Sequence, residues 1–135
     1  MLEAGWSIAR MCPRKPKSSA GTAMDAVGAA FEAAGAMFQE NPERVRLRDA
    51  IVSANAELRE RELIKLAAFA STVASALRDR GIPEPAASLA AQTGVAVFKV
   101  AFARWVSDPG QPDLPGIFRE SMAELRGALA DRAPV

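Results

Sequence analysis

The 135-residue sequence contains no histidine, no tyrosine and a single cysteine, Cys12. Without histidine and tyrosine, most arrangements of a general base or an activated nucleophile are excluded. The glutamates between Glu57 and Glu62 alternate with arginines, which is typical of a solvated helix face rather than of paired catalytic carboxylates. Clustered cysteines, a loop spaced for oxygen ligands and a glycine-rich phosphate loop are also missing. We therefore predict a protein that is not an enzyme and has no metal site and no cofactor.

An excess of charge of one sign is missing too, since 17 basic and 16 acidic side chains leave a net charge of +1. Such a balance provides no general attraction to nucleic acid or to an anionic membrane. One cysteine cannot form an intrachain disulfide and fits a reducing compartment. No apolar run reaches the roughly 18 residues of a membrane span. These features predict a cytoplasmic protein without a membrane partner.

Half of the residues are apolar, and their spacing is helical, with no alternating β pattern. We predict an all-α domain over residues 22–135, preceded by a disordered leader over residues 1–21 that is rich in proline and basic residues. Start signals at Thr22, Asn41-Pro42, Asn55 and Asp113, and a break at Gly81–Pro85, predict five helices. They cover residues 22–39, 42–54, 55–81, 86–106 and 113–132.

The fourth predicted helix is apolar on two faces. One face carries the smaller residues Leu89, Thr93, Ala96 and Val100, and the larger Phe98, Phe102 and Trp105 project from the opposite face. A soluble monomer does not leave a large apolar patch in water. The pattern predicts that one face lies on the domain core and that the smaller face forms a homodimer interface.

Aromatic residues recur on the first, third and fourth helices. The third helix also has an apolar stripe that is expected to face the core: Leu63, Leu66, Phe69, Ala70, Val73 and Leu77. The aromatic residues and Val73 either line an apolar ligand cavity or fill the core, and spacing alone favours the filled core. The candidate ligand-binding residues are Phe31, Phe38, Phe69, Val73, Phe98 and Phe102.

Two segments carry a resemblance to a known family: NAELRERELIKL, from Asn55 to Leu66, and GVAVFKVAFARW, from Gly94 to Trp105. They resemble the C-terminal regulatory domain of TetR-family transcriptional regulators, in the branch that binds acyl-CoA-like or other lipophilic molecules. The similarity covers about residues 23–130. It implies a small lipophilic or acyl-CoA-like ligand in a cavity between the first, third and fourth helices.

The resemblance also implies a homodimer, formed by the last two helices as a four-helix bundle. The interface residues expected on this basis are Leu89, Ala96, Val100, Phe118, Leu125 and Leu129. The second helix would transmit ligand occupancy to a DNA-binding head, with Arg44, Arg46, Arg48, Arg59 and Glu62 near the junction. By sequence alone, Arg59 and Glu62 are more simply explained as an exposed pair that extends the third helix into solvent.

Residues 1–21 are too short and too rich in proline to form the helix-turn-helix head of this family. We therefore expect a ligand-sensing and dimerisation domain without its own head, which reaches DNA only through an intact partner. The alternative is a stand-alone helical interaction protein that forms heterodimers with intact regulators.

Overall fold

The computed structural model describes residues 22–110 and 113–130, which form five α-helices. In chain order they are α1 (Ala23–Gln39), α2 (Pro42–Ser53), α3 (Ala56–Asp79), α4 (Ala86–Ser107) and α5 (Leu114–Ala130). The all-α prediction and the number of helices are confirmed. The predicted leader over residues 1–21 lies outside the described residues, as does the last part of the predicted fifth helix beyond Ala130.

Short side chains at the helix ends explain why the helices begin where the sequence predicts. Thr22 Oγ1 accepts a hydrogen bond from the Asp25 amide at 3.1 Å, and Asp25 Oδ2 accepts one from the Thr22 amide at 3.0 Å. Asn41 and Asn55 accept bonds from the amides three residues further on, at 3.3 Å and 3.1 Å. After α3, Gly81 takes a φ of 97°, a left-handed conformation that favours glycine.

Helix α4 is the centre of the bundle and packs against α1, α3 and α5, while α1 also packs along α5. Helix α2 lies mainly on α3, and none of its residues is buried. The largest side chains that are fully removed from water are Trp105, Phe31, Phe118, Leu77, Leu114, Val27 and Val73. They come from α1, α3, α4 and α5, so these four helices share one core.

The prediction that the whole stripe of α3 faces the core is wrong at its first residue, Leu63, which is 55% exposed. Leu66 and Phe69 are partly buried and pack against the core, and Ala70, Val73 and Leu77 are buried in it. The physical reason is length, because a 24-residue helix spans about 36 Å. The first turns of α3 lie against α2, a short helix with no buried residues, and extend beyond the central bundle.

The expectation that no segment is long and apolar enough for a membrane span also needs correction. Over its 22 residues, Ala86–Ser107, α4 has a mean hydropathy of 1.4 in its most apolar window. Of that window, 44% is buried within the domain. A core helix of a soluble protein passes the same test of length and composition, and the position of α4 between three other helices fits that explanation.

Candidate functional site

Seven aromatic side chains from four helices form one connected group, which we call the aromatic cluster. Its members are Phe31 and Phe38 of α1, Phe69 of α3, Phe98, Phe102 and Trp105 of α4, and Phe118 of α5. Neighbouring ring centroids lie between 5.2 Å and 6.4 Å apart, which is the range of direct ring contact. All five candidate phenylalanines of the sequence analysis belong to this cluster.

Burial is uneven across the cluster. Phe31, at 1% exposure, contacts Phe69, Phe98 and Phe118 and forms the inner end. Phe38 and Phe102 are partly buried, and their rings meet at 5.9 Å in an edge-to-face arrangement. The cluster therefore runs from a fully buried end to a partly exposed rim. The sixth candidate, Val73, is fully buried in the same core.

One of the arginines expected near the domain junction, Arg46, adjoins the cluster instead. Arg46 of α2 places its guanidinium carbon 4.4 Å above the centre of the Trp105 ring. Its Nη2 also donates a hydrogen bond to the backbone carbonyl of Trp105 at 3.3 Å. The sequence offers little signal for this pair, because the two residues are 59 positions apart and α2 has no clear apolar stripe.

The other four residues expected near a domain junction lie around the contact of α2 with α3. Arg48 of α2 pairs with Glu62 of α3 at 3.0 Å, and Arg59 Nη1 donates to the Ser53 carbonyl at 2.6 Å. The simple explanation of Arg59 and Glu62 as a pair with each other is therefore wrong, because each binds the α2 segment instead. Arg44 is exposed in the first turn of α2.

The predicted dimer residues on the outer face of α4 are exposed in the single subunit. Leu89 is 64% exposed, Val100 is 56% exposed, and Ala96 is exposed between them. On α5, Leu129 is 77% exposed and Leu125 is partly buried against the core.

Phe118 lies inside the subunit, not on the surface of α5. It is 1% exposed, and its ring stacks on Phe31 at 5.9 Å and meets Phe98 at 6.2 Å. The helical stripe of α5 is split by packing: its first half faces α1 and α4, and its last turn projects outwards. Phe118 therefore belongs to the core and is removed from the candidate dimer surface.

Two carboxylates have shifted acidity, and both lie at helix ends. Hydrogen bonding with Thr22 lowers the pKa of Asp25. The Ser88 hydroxyl, which donates to Glu84 at 2.9 Å, lowers the pKa of Glu84, and Arg78 adds to the effect. These contacts stabilise the starts of α1 and α4 and give no acid–base pair beside the aromatic rings.

The fold and the aromatic cluster together define an all-α bundle of the kind found in regulatory domains. A family model described as the MftR C-terminal domain, which is a TetR C-terminal domain family, matches residues 22–130. The chain therefore belongs to the TetR-family C-terminal domains. Domains of this kind generally dimerise, bind small ligands and have no enzyme activity. No curated protein matched the sequence.

Proposed function

We propose that this chain is the ligand-sensing and dimerisation domain of a TetR-type, cytoplasmic transcriptional regulator. The observation that carries the proposal is the aromatic cluster, which extends from the partly exposed Phe38 and Phe102 to the buried Phe31. Apolar walls with few polar groups suit a lipophilic molecule such as an acyl compound. The family match over residues 22–130 supports the same assignment.

The ligand would enter between the rim rings of the cluster. In this structure the rings contact one another, so an aliphatic chain must part them before it can lie between α1, α3 and α4. Phe38, Phe69 and Phe102 are the rings best suited to move, because each is only partly buried. Phe31 and Phe98 would form the inner wall.

The regulatory signal would leave through α2 and the first half of α3. Leu47 and Ile51 of α2 are 64% and 56% exposed, and Leu63 and Ile64 of α3 are 55% and 64% exposed. These apolar residues lie within three positions of Arg48 or Glu62 along the two helices and give a surface suited to a DNA-binding head. We infer that sequence-specific contact with DNA is made outside residues 22–130, by a head or an intact partner.

The ligand proposal can be tested with two phenylalanine variants that differ in burial. Phe69→Ala removes a partly buried ring and is expected to keep a cooperative thermal transition with a modest fall in Tm. Phe31→Ala removes a ring that is 1% exposed, and such truncations cost about 3–5 kcal/mol. Differential scanning calorimetry of both variants, with and without dodecanoyl-coenzyme A, compares these effects.

In the parent protein, ligand at a hundredfold excess over Kd should stabilise the fold by about 2.7 kcal/mol and raise Tm by several degrees. Phe69→Ala should lose most of this rise while it remains folded. If neither dodecanoyl-coenzyme A nor dodecanoate shifts the Tm of the parent, the ligand proposal is wrong. A dimer that forms without any lipophile would then favour the stand-alone interaction protein.

A further inference from the structure

The contact between Arg46 and Trp105 leaves two buried donors without an acceptor. Arg46 Nη2 donates a hydrogen bond to the Trp105 carbonyl at 3.3 Å. Arg46 Nε and Trp105 Nε1 are both buried, and neither has a hydrogen-bond partner in the part of the chain that the structure describes. Burying an N–H group without an acceptor costs free energy. The two donors can therefore bind an acceptor atom supplied by a ligand.

The charge of Arg46 is also unbalanced. Within residues 22–110 and 113–130, no carboxylate lies within ion-pair distance of its guanidinium. Arg48, two residues further along α2, pairs with Glu62 at 3.0 Å. A guanidinium held against a fully buried indole and without a counter-charge favours an anionic acceptor over a neutral one.

This pair lies at the end of the aromatic cluster. The Trp105 ring is 5.9 Å from Phe102, and Phe102 in turn meets Phe38 at 5.9 Å and Phe98 at 6.4 Å. An aliphatic chain that lies along these rings can therefore place its terminal group at Arg46. The apolar and cationic parts together have the layout that an amphipathic anion requires.

We propose that Arg46 and Trp105 form the polar anchor of the ligand site and that the ligand is an aliphatic molecule with an anionic group. Arg46 Nε and Trp105 Nε1 donate hydrogen bonds to the anion, and the hydrocarbon chain contacts Phe102 and Phe38. The anchor rests on the proposed ligand-sensing function and adds to it the two residues that hold the anionic group of the ligand. Carboxylates and phosphates share the required chemistry.

Arg46 also binds the carboxyl end of α4, so its removal has a structural effect that must be separated from anchoring. A structural effect weakens the binding of every lipophile alike. Loss of an anchor removes the preference for an anion over a neutral molecule of equal chain length. The ratio of two affinities therefore reports on the anchor alone.

Trp105 itself provides the measurement. The chain has two tryptophans and no tyrosine, so Trp6→Phe leaves Trp105 as the single strong fluorophore. In that background, Trp105 emission is titrated with dodecanoate, dodecanoyl-coenzyme A and 1-dodecanol. We expect at least one anionic probe to bind roughly tenfold or more tightly than 1-dodecanol, the size of one charge-assisted hydrogen bond. The stronger of the two anions identifies carboxylate or phosphate as the group that is bound.

Arg46→Gln should bring the affinities for anion and alcohol close to equality. Arg46→Lys, which keeps the charge and removes the Nε donor, should retain part of the preference. Arg44→Gln on the exposed side of α2 is the matched control and should keep the preference of the parent. Trp105→Phe, followed by thermal shift instead of emission, should reduce the preference without removing it.

Two results would overturn the anchor, and they differ from each other. If Arg46→Gln keeps the full preference for the anion, the anchor is wrong but the ligand-sensing function stands. If none of the three probes changes Trp105 emission or the Tm of the parent, the ligand-sensing function fails, and the anchor fails with it.

Discussion

At the scale of single residues, Gly94 shows how one missing side chain sets the spacing of two core helices. A Cβ atom at this position of α4 would lie 2.6 Å from Cε2 of Phe31 and would also overlap Cγ1 of Val27, both on α1. Phe31 is held on three sides by other rings of the aromatic cluster, so its ring has little freedom to withdraw. Gly94 therefore allows α1 to approach α4 closely.

We predict opposite effects for two glycine-to-alanine substitutions. Gly94→Ala should destabilise the fold by about 1–3 kcal/mol, because it overpacks the contact with Phe31. Gly28→Ala in α1 should stabilise it by about 0.5–1 kcal/mol, because alanine favours a helix and nothing lies within 4 Å of the added Cβ. Urea unfolding monitored by circular dichroism measures both. A neutral or stabilising Gly94→Ala would show that the two helices do not pack this closely.

At the scale of the helices, α1 and α5 are joined end to end as well as side by side. Oε1 of Gln39, the last residue of α1, accepts a hydrogen bond from the Leu114 amide at 2.8 Å. Leu114 begins α5, and the first amides of a helix have no partner within the helix. Arg119 of α5 also pairs with Glu32 of α1 at 3.1 Å, in an exposed contact that contributes little.

We predict that the Gln39 side chain matters through its acceptor oxygen. Gln39→Ala leaves the partly buried Leu114 amide without a partner and should cost about 1–3 kcal/mol. Gln39→Glu keeps an acceptor and adds negative charge near the start of a helix, so it should retain the stability of the parent. Thermal unfolding at neutral pH compares the two variants. Equal losses for both would assign the effect to packing instead of the hydrogen bond.

At the scale of the whole molecule, two exposed apolar surfaces compete for the role of dimer interface. One is the outer face of α4 and the end of α5, with Leu89, Ala96, Val100 and Leu129. The other is the α2–α3 surface around Leu47. We favour the first, because it has the small residues that let two helices approach closely and because Leu47 lies at the proposed junction with a DNA-binding head.

We predict that Val100→Arg dissociates the homodimer and that Leu47→Arg leaves it intact. An arginine at either site adds the same charge at a similarly exposed position, so the pair separates the two surfaces. Analytical ultracentrifugation at micromolar concentration measures the oligomeric state, and circular dichroism confirms that helix content is kept. A monomeric parent protein, or a dimer that Leu47→Arg disrupts, would contradict the assignment to α4 and α5.

Local signals in the sequence were enough to predict the number of helices and the residues at which they start. Thr22, Asn41 and Asn55 cap helices through atoms three residues away, so no distant part of the chain is needed to read them. The family was recognisable for a related reason, because the two segments that carry the resemblance, in α3 and α4, are continuous in the sequence. The family model over residues 22–130 confirms that recognition. Periodicity also placed the five candidate phenylalanines on faces that meet.

Tertiary packing decided which residues of each apolar stripe are covered by other helices and at which residue that cover ends. Leu63 and Phe118 both continue apolar stripes, but Leu63 extends beyond the bundle and is exposed, while Phe118 is enclosed by Phe31 and Phe98. Arg46 and Trp105 are 59 positions apart, so their contact depends on how the turns at both ends of α2 place this helix against α4. Such a contact is set by the relative placement of whole helices, which no local pattern encodes.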